Sequence, residues 1–457
     1  MNKYDVLIIG AGPAGLFAAY TLADTDLKVG VVDSGRAPLD RDCPIKTTNV
    51  CVNCNPCHIM AGVGGAGLFS DGKLNFISKL GKTDLTKYIP LDEADKLIDE
   101  TEKIFTQFSM DGDIYPTNQE KALKIREKAM KAGIDLLLIK QKHLGSDMLP
   151  KYINDMMEYL KNKKVEFILN TEVKTIEVQN KKIKGVNTDN GFIEADKIIA
   201  APGRIGAKWL YKDCLRLGLS VDYQPVEVGV RVEVPNEIMN ETTDTIYDPT
   251  FFIYGDTYDD QVRTFCTNRG GFVAKENYQD FICVNGHAEK NKKSRNTNFA
   301  FLSKVTLTEP MNDTFKYGKA IGNLATVIGG GKPILQRFGD LKRGRRSTWQ
   351  RINNSHLVPT LKDVTPGDLG MAMPRRIVTN LIEGLQKLDL VIPGIASNST
   401  LLYAPEIKFF STEIHNECLK TEIDGLYVAG DGGGVAGNIV SAAATGVLAA
   451  RELLKRG

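Results

Sequence analysis

Net charge is nearly missing from this 457-residue chain: 58 Lys and Arg stand against 56 Asp and Glu, a formal +2. So balanced a composition carries no global footprint for nucleic acid or for an anionic membrane face. Uninterrupted apolar stretches of membrane-spanning length are absent as well, so no transmembrane helix is expected. The first residues lack a basic segment ahead of an apolar one, and glycines interrupt the run from Tyr4 to Leu16, so no secretory leader is expected. There is no internal repeat and no low-complexity linker. These absences predict a cytoplasmic protein, whose cysteines stay reduced unless they are redox-active or hold metal. What is present, 42% hydrophobic and 25% charged residues, suffices for a large core divided into two or three lobes.

An apolar run of strand character, Val6 to Ile9, empties into Gly10-x-Gly12-x-x-Gly15, and helix-forming residues follow from Ala14 to Ala23. Gly10 permits a tight turn, Gly12 lets the backbone approach a pyrophosphate, and Gly15 lets the helix pack close to the strand. The phosphates of a dinucleotide would meet unpaired N–H groups at the helix N-terminus. A second strand, Leu27 to Val32, ends in Asp33, where a carboxylate accepts ribose hydroxyls and disfavours a 2′-phosphate. The far end of the chain decides between NAD and FAD. There the strand Leu426 to Ala429 runs into Gly430-Asp431, a glycine-rich loop follows, and Ile439 to Leu454 reads as a long apolar helix. Asp431 is placed for the ribityl or pyrophosphate portion of FAD, or else to brace its own loop. Gly437, Asn438 and Ile439, where that helix begins, would face the N1/O2 edge of the isoalloxazine.

With these segments and the Ala200-Ala201-Pro202-Gly203-Arg204 turn after the strand from Lys197, the chain resembles the glutathione-reductase-type FAD-binding superfamily. Pro202 stands where that superfamily carries Thr, which removes a hydroxyl and an N–H from the turn. The phrases Gly62 to Asn75 and Gly339 to Thr348 resemble, more narrowly, a bacterial group of FAD-dependent dehydrogenases also termed NAD-utilising dehydrogenases. That resemblance spans nearly the whole chain and leaves the substrate undefined. It implies an α/β fold: a Rossmann-like FAD-binding domain with an inserted α+β substrate domain. The expected division is 1–214 for the first part of the FAD domain, 215–385 for the insertion and 386–457 for the return. Covering helices are expected between about 80 and 162, among them the amphipathic runs Leu91 to Phe108 and Leu149 to Lys161. Strands are expected at Val165 to Leu169, Thr171 to Val178 and Lys181 to Asn187, with Val173 against the adenine.

A second Gly-x-Gly-x-x-Gly, at Gly62, Gly64 and Gly67, has no strand before it and no acid-tipped βαβ after it, so it is not a separate NAD(P) site. Its expected role is to pass backbone close to the flavin, with Gly64, Gly65, Ser70 and Gly203 among the cofactor contacts. Lys73 either stabilises the reduced flavin from the same loop or is a solvated lysine. Four of eight cysteines, Cys43, Cys51, Cys54 and Cys57, crowd into fifteen residues. The Cys-x2-Cys-x2-Cys run resembles iron–sulfur ligation, with Cys43 as a fourth ligand of a [4Fe-4S] cluster. A zinc site, a redox dithiol and thiols without function are the alternatives. His58 is a further candidate ligand or a polar loop residue. Cys214, Cys266, Cys283 and Cys418 lack paired spacing and are expected in the core.

Within the insertion, Lys342 to Arg346 with Arg351 could clamp a carboxylate or phosphate, Arg346 being the candidate, or could be a solvated face. His287 could act as general acid or base beside the flavin or be structural. Glu406 and Lys408 are candidates for the flavin pocket. The expected activity is hydride or electron transfer between FAD and a small anionic substrate, with a ferredoxin-like donor if a cluster is held and NAD(P)H as the open alternative. A flavin monooxygenase, a tRNA-modifying flavoprotein and a cysteine-based redox sensor without turnover remain as rival classes.

Overall fold

The computed structural model describes residues 3–44, 47, 52, 54–70, 72–144, 148–278, 281–288, 292–307, 313–409 and 412–455. It divides into two compact units, residues 1–113, 140–224 and 411–457 forming one, residues 114–139 and 225–410 the other.

The first unit is built on a seven-stranded sheet. In chain order its strands are β1 (Lys3–Ile9), β2 (Val29–Val32), β3 (Glu166–Ile168), β4 (Val173–Gln179), β5 (Lys182–Thr188), β6 (Gly191–Ala200) and β7 (Leu426–Val428). Their spatial order is β4-β5-β6-β1-β2-β3, with β7 also on β6. The β6-β1-β2-β3 and β6-β7 pairs are parallel, and Ile8 lies between Ile199 and Val31. Val6, Leu7, Ile8 and Ile9 are all buried, the unbroken apolar run of a strand covered on both faces. Helices α1 (Pro13–Leu22), α2 (Leu91–Gln107), α3 (Leu149–Asn162), α4 (Gly203–Arg216) and α5 (Ile439–Lys455) belong to this unit. α1 and α5 are apolar nearly all round and buried. By contrast, α2 buries one stripe, Ala94, Leu97, Ile98, Thr101 and Phe105, at the spacing of an amphipathic covering helix.

The second unit carries an eight-stranded sheet whose centre is the antiparallel triplet Leu401–Lys408, Val226–Pro235 and Asn296–Val305. Along Val226–Pro235 the valines at 228, 230, 232 and 234 enter the apolar core. The intervening Glu227, Arg231 and Glu233 occupy the opposite face, as the period of two demands, and are buried too. Burial forces each to find a partner. Arg231 forms a two-pronged pair with Glu406, Nε to Oε2 at 2.7 Å and Nη2 to Oε1 at 2.6 Å. Arg263 does the same with Glu227 at 2.6 and 2.7 Å.

The division differs from the sequence expectation. The insertion runs from 225 to 410 rather than 215 to 385, and residues 114–139 join it rather than the covering helices. The physical reason is strand pairing: Asp135–Leu137 hydrogen-bonds to Thr250–Phe252 at the edge of the second sheet. Glu406 does not line the nucleotide pocket, because both of its oxygens are committed to Arg231. Replacing Glu406 by Gln should strand the Arg231 charge and cost about 3–5 kcal/mol, whereas Arg231→Met with Glu406→Leu should recover much of the loss. Urea midpoints of the three variants check this.

Candidate functional site

Glycine 10 ends β1 with φ +98°, and a Cβ there would lie 2.2 Å from the Ala201 carbonyl oxygen. Only glycine lets β1 turn this sharply beside the end of β6. Pro13 then opens α1 at the first helical position, where its missing N–H costs nothing. These turns floor a cleft of about 520 Å³ within the first unit.

Its lining includes Asp33, Ser34, Thr171, Glu172, Val173 and Trp209. Asp33 is held by two backbone donors, Ala11 N–H to Oδ2 and Gly35 N–H to Oδ1, each at 2.8 Å. Each oxygen keeps lone-pair capacity for a further donor. Gly10, Gly12, Pro13, Gly203, Arg204, Gly430 and Asp431 line it as well. A Cβ on Gly12 would meet nothing closer than Gly65 Cα at 3.8 Å, so it would stand in the cleft itself. Gly65, Gly67, Ser70, Gly437, Asn438 and Ile439 complete this part of the lining. The Asn438 side chain accepts the Ser441 N–H at 2.9 Å and so caps α5.

These residue types fit FAD: Asp33 could accept ribose hydroxyls, the open start of α1 could take a pyrophosphate, and the glycines leave room for a flat ring. Of the expected cofactor residues, Gly10, Gly12, Asp33, Gly65, Ser70, Val173, Gly203, Gly430, Asp431, Gly437, Asn438 and Ile439 line the cleft. Gly15 and Gly64 stand behind it: a Cβ on Gly15 would strike the Gly10 carbonyl, and the Gly64 N–H bonds Ala11 O at 2.8 Å.

The expected catalytic residues are not among those that line the cleft. Lys73 starts the strand Lys73–Phe76, paired with Lys140–His143, and is not a lining residue. In the second unit, His287 is exposed with its ring stacked on Phe272. Arg346 is exposed too, and its patch braces a turn: Arg345 and Ser347 each reach the buried Asp340 at 2.8 Å. Exposed charges of this kind are the solvated face that the sequence left open.

The four-thiol cluster lies partly outside the described residues. Cys51 lies outside the described residues, and among these no three His, Cys, Asp or Glu side chains converge on a metal position. Cys57 instead lines a second, polar cavity of about 260 Å³ with Arg36, Arg41, His58 and Asn170. Cys214 and Cys283 are buried, and burial pushes the Cys214 thiol up to about 12. Cys266 and Cys418 are only partly buried.

Two residues that no sequence pattern singles out shape the site. Arg41, 5% exposed, donates to the carbonyls of His58, Ile59, Gly62, Val63 and Gly65 at 2.6–3.4 Å. Burial lowers its pKa to about 10, with Asp33 and Cys57 opposing the fall. The whole loop from 58 to 65 is thereby wrapped around one guanidinium. Lys82 is ion-paired with Asp431, whose other oxygen takes Arg204 Nε at 3.2 Å. Burial raises the Asp431 pKa, but the two cations more than offset it and hold the carboxylate ionised. Asp33→Ala, which deletes the ribose acceptor, should weaken FAD binding to apo-protein roughly 100-fold, about 3 kcal/mol for an acceptor of charged hydrogen bonds; fluorescence titration measures it.

Comparison with known proteins bears on the same segments. Residues 5–37 match the family described as FAD binding domain, 225–408 the FAD-dependent protein, C-terminal domain-like family, and 368–456 the Glucose inhibited division protein A family. An uncharacterized protein of Clostridium beijerinckii is 25% identical over 99% of this chain and 81% of its own length. D-amino acid dehydrogenase of Vibrio vulnificus is 28% identical over 113 residues, 24% of this chain and 26% of that protein. Glycine oxidase from Bacillus cereus aligns over 100% of this chain and 96% of its own at 15% identity, with a TM-score of 0.38. The FAD-binding match falls on β1, the glycine turn, α1 and Asp33, the segments that build the floor of the cleft.

Proposed function

We propose that the protein is a dehydrogenase in which FAD held in the first unit exchanges a hydride or an electron pair with a small, anionic organic substrate. The observation that carries this reading is the set of groups gathered in one cleft: a carboxylate, an open helix start and a glycine-rich wall. When bound, FAD supplies the two-electron chemistry at its ring. The chain's own residues bind and orient. Asp33 accepts the ribose hydroxyls, the N–H groups beyond Gly12 meet the phosphates, and Asp431, kept ionised, accepts from the ribityl chain. Ser70, whose hydroxyl is already turned to Gly67 O at 2.7 Å, lines the cleft as a wall rather than a proton donor.

Amino acids are the first substrates to test, because the Vibrio vulnificus D-amino acid dehydrogenase supplies the one activity named among the matching curated relatives. A carrier from outside the chain, NAD(P)H or a ferredoxin-like protein, would take or deliver the electrons. The thiol geometry among the described residues gives no support to a cluster as an internal relay.

Purified protein should be yellow and release FAD on denaturation. Under anaerobic conditions a panel of D- and L-amino acids and other small carboxylates should include one that bleaches the flavin band, with slow recovery in air. Rapid reoxidation with a hydroxylated product would replace this reading by the monooxygenase. Protein purified without flavin, and unable to take it up, would remove its basis. Iron and acid-labile sulfide, counted on the same sample, decide whether the four-thiol run holds a cluster.

A further inference from the structure

Arg41 directs its donors to one loop. Nη1 reaches the carbonyls of Gly62, Val63 and Gly65 at 3.4, 2.8 and 2.8 Å, Nη2 that of Ile59 at 2.6 Å, and Nε that of His58 at 3.1 Å. The Phe69 ring lies over the guanidinium, its centroid 5.1 Å from Cζ. A Cβ on Gly62 would come within 2.8 Å of Arg41 Cδ, so the loop closes on the side chain without spare room.

Elsewhere the same loop is fastened to the floor of the cleft. Val63 N–H bonds Arg36 O at 3.0 Å, and Gly64 N–H bonds Ala11 O at 2.8 Å. A Cβ on Gly65 would lie 3.2 Å from Gly12 Cα and 3.6 Å from Pro13 Cδ, so the Gly65 backbone rests against the turn that opens α1. The peptide joining Gly65 to Ala66 is trans. In a trans peptide the N–H points opposite to the C=O. With the Gly65 carbonyl on Arg41, the Ala66 N–H points away from the guanidinium. Ala66 is exposed, and it lines the cleft together with Gly12, Pro13 and Gly65. A cation bonded to the carbonyl end of a peptide polarises it and strengthens the donor at its other end.

We propose that Arg41 is a positioning residue for the cofactor's diphosphate: by fixing the loop from 58 to 65 it aims the Ala66 N–H at a phosphate held by the open start of α1, and its buried charge strengthens that donor. This rests on the cleft being an FAD site. Arg41 is not a lining residue of the cleft and acts on the ligand through the Gly65–Ala66 peptide. The diphosphate is therefore met from two segments, the glycine turn after β1 and a loop that the fingerprint does not include.

The experiment measures how ADP and adenosine compete with FAD for the flavin-free, full-length chain, in wild type, Arg41→Ala and Arg41→Lys. The two competitors differ only in the diphosphate. Arg41→Ala should weaken ADP about tenfold or more, the worth of one hydrogen bond to a charged group, and should weaken adenosine far less. At matched ionic strength, millimolar guanidinium chloride should restore ADP binding to Arg41→Ala, whereas urea, neutral and alike in shape, should not. Filling the space or satisfying the carbonyls would not by itself produce that difference. Arg41→Lys keeps the charge but meets fewer carbonyls, and its ADP affinity should fall between the other two. Equal losses for ADP and adenosine overturn the proposal, as does an unchanged ADP affinity or a rescue by urea equal to that by guanidinium. If Arg41→Ala does not fold, Arg41→Lys decides: a loss confined to ADP supports the proposal, and a uniform loss or none overturns it. Wild-type protein that takes up neither FAD nor ADP would instead overturn the cleft reading, and this proposal with it.

Discussion

Everything at the nucleotide site hangs on the space between the end of β1 and the end of β6. Gly10 approaches the Ala201 carbonyl so closely that no side chain fits between them. Parallel pairing of β1 with β6 brings both chain reversals to the same edge of the sheet, and β7, on the far side of β6, delivers Gly430 and Asp431 there as well. Because strands in a parallel sheet all point one way, their carboxyl ends and the helix starts that follow gather on one side. A dinucleotide cleft is the natural consequence of that geometry. Segments separated by more than 400 residues supply its opposite walls.

The two units deal with interior charge in different ways. In the second, Arg231 and Arg263 are matched one to one with carboxylates through two-pronged bonds, an arrangement that neutralises the charge and fixes register in the sheet. In the first, Arg41 is satisfied by five carbonyls and has no carboxylate bonded to it, so its charge persists and orders a loop. Lys82 is intermediate, paired with a carboxylate that itself has two cations.

Much of this was legible beforehand, for a simple reason. A strand that is buried on both faces, a turn that only glycine can make and an acid at a strand tip each leave a mark within a few residues. The positions of α1, α2, α3 and α5 followed from local periodicity and came within about two residues of the observed limits, as such readings do. The error over Glu406 had a different origin: its neighbourhood in sequence pointed toward the returning FAD segment, but strand pairing gave it to Arg231. Lys73 was weighed for its place next to a glycine-rich phrase, whereas the lysine bonded to the lining residue Asp431 is Lys82, nine residues later and across a tight turn.

By itself, then, the sequence determined the nucleotide fingerprint, the acid at Asp33, the α/β class and the need for the C-terminal return, because these depend on residues adjacent along the chain. Only the tertiary structure decided where the second unit begins and ends, that residues 114–139 belong to it, which glycines face the cleft and which stand behind it, and that Arg41 and Lys82 serve the site. Those outcomes depend on which distant groups meet in the folded state. A buried charge is directed by the carbonyl or carboxylate it reaches there, and no local pattern records that partner.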